Sequence, residues 1–164
     1  MGRAELLLVL AALSIFGWFS LTVNRSLLEN SSRVLESEFE ITAISLLQEV
    51  ISEAGLKAFD ENSVSTIPAS VPGGFTALIS LGVDGGEAYP TIDDVDDYHG
   101  LTISDTTNAG MTYAIACTVG YVTSSDLVNF ADTTTTLKRM NLTLTSDYLP
   151  NDISLSYIYS FVRE

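Results

Sequence analysis

Carboxylates are the residues of this chain whose spacing most invites a chemical reading. The run Thr91-Ile92-Asp93-Asp94-Val95-Asp96-Asp97-Tyr98 packs four aspartates into five positions, and Asp84 and Glu87 lie just upstream. Oxygen ligands this close together can surround a hard cation such as calcium. The glycine and terminal glutamate of an EF-hand loop are missing. Asp93, Asp94, Asp96 and Asp97 therefore read first as a solvated acidic loop and second as a calcium site. Cys117 is the one cysteine, which rules out an intramolecular disulfide and a thiolate metal site. It falls in an alternating apolar run, where an inert buried thiol is expected. His99 follows Asp96 and Asp97 closely, yet nothing frames a serine as a nucleophile. A P-loop, a dinucleotide-binding glycine pattern and a paired-histidine metal motif are all absent. The reading is of a protein that is not an enzyme and needs no cofactor. Asn24, Asn30 and Asn141 head N-x-Ser/Thr triplets, and Asn141 is the one best placed to carry sugar.

Glu5 raises a different question. It stands at the lip of Leu6 to Val23, eighteen residues without a charge. A helix of about 17–25 such residues spans a bilayer. A secretory signal would have a shorter apolar core and a small-residue cleavage site, and Leu21-Thr22-Val23-Asn24 is a poor one. The span therefore reads as retained, and a carboxylate at its edge needs a purpose or a partner.

Helical signal continues beyond Val23 to about Phe59 without a proline. Leu28, Leu35, Phe39, Ala43, Leu47, Val50, Ile51 and Ala54 recur in steps of three, four and seven, the period of an amphipathic helix. Gly55 or the Asp60-Glu61-Asn62-Ser63 cluster can end it. Gly17, flanked by Ser14 and Ser20, is either a weak point of the helix or a site of close helix packing.

An apolar helix opening Met1-Gly2-Arg3-Ala4-Glu5-Leu6 resembles the mature start of type IV pilins and their pseudopilin relatives, which carry glutamate at the fifth position. With Met1 counted as the first mature residue, Glu5 stands in that register, while Arg3 departs from the usual apolar start. The resemblance covers about the first sixty residues. It implies that Glu5 pairs with the terminal amine of a neighbouring subunit, and that Met1, Glu5, Leu6, Leu10, Leu13, Phe16, Gly17, Trp18 and Leu21 form the assembly surface. Two buried charges are tolerable in a filament core when each neutralises the other.

After Ser63 the composition turns to Thr, Ser, Gly, Asp and β-branched residues. Pro68, Pro72, Gly73 and Gly74 mark a turn or linker, and Phe75 to Leu81 reads as a short strand or helix. Strands are predicted over Met111 to Val122, Leu137 to Thr145 and Ile153 to Phe161, each with period-two alternation. An antiparallel sheet with one apolar face needs a cover, which the stripe between Leu28 and Phe59 supplies. The expected fold is α+β, a long helix on a small antiparallel sheet. Residues 1–25 would form the apolar assembly or membrane segment, 26–62 the amphipathic continuation and 63–164 the β-rich head.

With 21 acidic against 7 basic side chains, the net charge is −14. That excludes nucleic acid, whose phosphates need clustered Lys and Arg. It fits a surface held in water outside a cell. The expected function is that of a major subunit polymerising with copies of itself into an extracellular pilus-type filament. Before assembly it would sit in the inner membrane, and its partner there would be the pilus assembly machinery. A pseudopilin of a secretion system and a membrane-anchored binding module are the alternatives.

Overall fold

The computed structural model describes residues 2–106 and 110–162. One helix, α1, runs Arg3–Ala54 and is followed by a four-stranded antiparallel sheet in the order β1-β2-β3-β4. The strands are β1 (Thr102–Thr106), β2 (Thr112–Tyr121), β3 (Leu137–Thr145) and β4 (Ile153–Ser160). The fold is therefore α+β, as the patterning predicts. Two units divide the chain, residues 1–39 and 40–164.

The first unit is helix throughout its described length from Arg3. Two of its hydroxyl side chains bond back to the helix itself: Ser14 donates to the carbonyl of Leu10 at 2.8 Å and Thr22 to that of Trp18 at 2.9 Å. Side chains that bond back to their own helix are compatible with an apolar surrounding. The segment contains a stretch long and apolar enough to cross a membrane, and none of that stretch is buried.

In the second unit the end of α1 lies on the sheet. Ala43, Leu47, Val50 and Ala54 are buried and share a core with Ile115, Cys117 and Val119 of β2 and with Met140, Leu142 and Leu144 of β3. The steps of four, three and four between those helix residues make one continuous face. The predicted stripe began earlier, but Leu28 and Leu35 are exposed, so the cover starts at Ala43. The helix stops at Ala54, and Leu56 and Lys57 turn back on the carbonyls of Glu53 and Ala54.

Predicted and observed strands agree within a residue at each end for β2, β3 and β4. Register sets Cys117 opposite Leu142 and Val119 opposite Met140, and the same alternation brings Tyr121 opposite Lys138. On β4, Tyr159 faces the core and donates to the carbonyl of Ile51 at 2.8 Å, tying the last strand to α1. Tyr157 shares its parity but stays half-exposed, since β4 is an edge strand. Strand β1 escapes the sequence pattern. Among its five residues only Ile103 is buried, which leaves no alternation to detect. The stretch 75–81 holds a single 3-10 turn, Leu78–Ser80, instead of a strand.

Candidate functional site: an exposed apolar helix and a buried ion network

Two places in the molecule depart from ordinary protein surfaces and cores. The first is the start of α1. Leu6, Leu10, Leu13, Phe16, Trp18 and Leu21 are all exposed, Trp18 at 75%. A Cβ added to Gly17 would meet nothing within 4 Å. Soluble proteins rarely leave a contiguous apolar surface of this extent uncovered. Glu5 has a local role here. Its Oε2 accepts from the Gly2 backbone N–H at 2.9 Å, while the Gly2 carbonyl accepts from Glu5 N at 3.1 Å and Leu6 N at 3.3 Å. That is one half of a capping box, with Gly2 at the N-cap and Glu5 three residues on. The other assembly residue named from the sequence, Met1, lies outside the described residues.

The second place is the head interior around Lys138. Its ammonium donates to the carbonyl of Phe59 at 2.7 Å, to Asp60 Oδ2 at 2.8 Å and to Asp96 Oδ1 at 2.6 Å. Lys138 and Asp60 are fully buried and Asp96 is 2% exposed. The Lys138 Nζ also lies 4.7 Å from the centroid of the Phe59 ring and 5.0 Å from that of Tyr121. Phe59, Phe75 and Phe161 pack ring against ring. Three stretches far apart in sequence thus meet at one cation: the exit from α1, the 3-10 turn Asp96–Tyr98, and β3.

The two aspartates differ in how they are held. Asp60 accepts from Thr76 N at 2.9 Å, Thr76 Oγ1 at 3.0 Å, Asn62 N at 3.2 Å and the Tyr121 hydroxyl at 2.7 Å, besides Lys138. Burial works to raise its pKa, but the bond and charge of Lys138, with Tyr121 and Thr76, hold it below the usual carboxylate range. Asp96 goes the other way. Burial raises it by more than the Lys138 charge lowers it. Beside it Asp94, 1% exposed, is pushed up to about 9 by burial and then by the charge of Asp96. No donor reaches Asp94 Oδ2, so a proton shared with Asp96 is the simplest way to satisfy it.

The acidic run is therefore not the solvated loop that its composition suggests. Asp94, Asp96 and Asp97 are buried, and the 3-10 turn Asp96–Tyr98 packs beside β2. Nor do the four aspartates act as one set. Asp94 and Asp96 belong to the Lys138 network, whereas Asp93 and Asp97 converge with Glu87, their carboxylate oxygens within 4.8 Å of one another. Glu87 is pushed up to about 7, first by its hydrogen bond to the Asp97 carboxyl and then by burial and the charges of Asp97 and Asp93. Glu87, Asp93 and Asp97 are the residues that could offer three oxygens to one cation.

The remaining candidates fall into place individually. His99 follows the 3-10 turn and sets Nδ1 2.6 Å from the Val119 carbonyl oxygen, pinned to β2. Cys117 is buried, and burial pushes its thiol up to about 12. Asn141 lies on the outer face of β3, half-buried, with its Oδ1 enclosed; Asn24 and Asn30 are exposed on α1. Lys138 and Asp60 had not been singled out from the sequence. The signal was present, because Lys138 has the parity of Met140, Leu142 and Leu144 and so points to the core.

The layout, one long apolar N-terminal helix on a small antiparallel sheet, is the pilin-like architecture. No family model, curated protein or solved structure matches the chain.

Proposed function

We propose that this chain is the structural subunit of an extracellular pilus-type filament, held in a membrane by α1 before it assembles. The observation that carries the reading is the wholly exposed apolar stretch of α1, with Glu5 at its start and a folded head on the same chain. Lipid tails cover such a surface first, and the helices of neighbouring subunits, equally apolar, can replace them with little change in solvation. Glu5 would then leave its Gly2 contact for the terminal amine of the adjoining subunit. The acidic head would face water and set the surface properties of the filament. A pseudopilin would use the same parts in a shorter polymer. A membrane-anchored binding module would use α1 only as an anchor.

Glu5→Gln tests the reading cleanly, since glutamine keeps the cap on Gly2 and loses only the charge. Cells carrying either form are sheared and the released material is pelleted and identified by intact mass. The expected result is wild-type chain in the sheared fraction with its apolar segment retained. The variant should be depleted there by more than about tenfold, the effect of ~1.4 kcal/mol of subunit affinity. Wild-type chain found only in membranes, with Glu5→Gln indistinguishable from it, would turn the assignment to the anchored module.

A further inference from the structure

A lysine amine and an aspartate carboxyl in van der Waals contact, sealed from water among aromatic rings, are the reactants of an amide bond. In water the ions are each well solvated and the condensation does not proceed. In this head both are buried, and a buried ion pair carries a desolvation penalty that a neutral amide would not. Burial also fixes the partners in place, which substitutes for a high concentration of reactants. The chain has one cysteine and so no disulfide to brace the head.

We infer that Lys138 and Asp96 are the two halves of an intramolecular isopeptide bond, formed spontaneously in the folded head, with Asp94 moving the protons and Asp60 holding the amine in place. Asp96 is the acceptor and not Asp60. The Asp60 carboxylate accepts from Thr76, Asn62 and Tyr121 as well as Lys138, which fixes its negative charge and makes its carbon a poor electrophile. Asp96 lies closer to Nζ, at 2.6 Å, and has the orphaned Asp94 carboxyl beside it as a proton source. The raised Asp94 fits the proton shuttle, and the lowered Asp60 stays a carboxylate that holds Nζ in place.

The step balances without any co-reactant. The Lys138 ammonium gives one proton to the Asp96 oxygen that it already bonds, leaving a neutral amine and a neutral acid while Asp60 keeps its charge. The Nζ electron pair forms a bond to Cγ of Asp96, and the C=O π pair moves to its oxygen. The Asp94 proton passes to the hydroxyl, the Cγ–O bond breaks and water leaves as the carbonyl re-forms. The second Nζ proton then passes to Asp94, which ends protonated as it began. One proton stays on the amide nitrogen, and the sum is ammonium plus carboxylate giving amide plus water.

The product would join residues 42 apart, locking the turn Asp96–Tyr98 to β3. The filament reading is not required for this bond, though a subunit under tension would gain from it.

The test is the mass of the full-length wild-type chain, extracted in detergent and then denatured. It is expected to fall one water below the mass of its sequence. Digestion should give a branched peptide joining the Lys138 segment to the Asp96 segment, with no tryptic cut after Lys138. Asp96→Ala and Lys138→Arg should each restore the full mass. Asp96→Asn should lose one ammonia in place of water. Full sequence mass with a free, trypsin-cleavable Lys138 would overturn the proposal and leave an ion pair only. Water loss confined to one linear peptide, as in a cyclised aspartate, would overturn it too, and a branch at Asp60 would overturn the choice of acceptor. Since the deciding readout is the wild-type chain, a variant that fails to fold does not blunt the result.

Discussion

The start of α1 and the interior of the head are built on opposite terms. Residues 6–23 expose leucine, phenylalanine and tryptophan that a water-soluble protein would bury, while the head buries a lysine and four aspartates that such a protein would expose. Each inversion is tolerable only with a partner. On the proposed function, the apolar surface would find its partner outside the chain, in lipid or in neighbouring helices. Charge buried in the head finds its partner inside, at hydrogen-bonding distance. The lesson is where each region would keep its dependence: on that reading the helix waits for company, whereas Lys138, Asp60 and Asp96 already have one another.

That contrast can be broken first at Lys138. Replacing it with methionine keeps the bulk but strands Asp60 and Asp96 without a cation. Loss of one partner of a buried pair costs about 3–5 kcal/mol, so the head of Lys138→Met should melt far below wild type, or fail to fold, by circular dichroism. A head that melts unchanged would mean that the network contributes nothing to stability.

A smaller effect follows from Glu87. Its folded pKa is raised from 4.5 to about 7, so its contribution is fully present below about pH 4.5 and is lost as pH rises through about 7. Thermal melts should therefore show the head losing stability between those pH values, and Glu87→Gln should lessen the slope. Asp94, Asp96 and Glu61, each raised first by burial, act in the same sense, so the variant should leave part of it. A slope of the opposite sign would contradict the convergence of Glu87, Asp93 and Asp97.

The smallest effect is the control that sharpens the comparison. Trp18→Ala removes the most conspicuous exposed ring of α1, 75% exposed. Head melting in detergent should stay within about 0.5 kcal/mol of wild type, as for surface substitutions generally. A large loss would show that α1 is less independent of the head than its exposure implies.

Much of this architecture could be read directly. Uninterrupted apolar sequence without proline determines a helix, because nothing along Leu6 to Val23 competes for its backbone hydrogen bonds. Period-two alternation determines β2, β3 and β4, because one face of each must meet the core. The same periodicities announced that Glu5 borders a segment fit for a membrane. The parity of β3 also puts Lys138 on a core-facing position, a signal that the sequence reading passes over.

What the tertiary structure alone decided is the fate of the charges. Asp93, Asp94, Asp96 and Asp97 are neighbours in sequence and looked like one solvated or cation-binding set. The fold separates them: Asp96 faces Lys138 with Asp94 beside it, while Asp93 and Asp97 converge on Glu87. Whether a carboxylate is solvated, shares a proton or faces an ammonium depends on what lies within a few ångströms of it. Here those neighbours, residues 60 and 138, lie 36 positions before Asp96 and 42 after it, so no local pattern could report them.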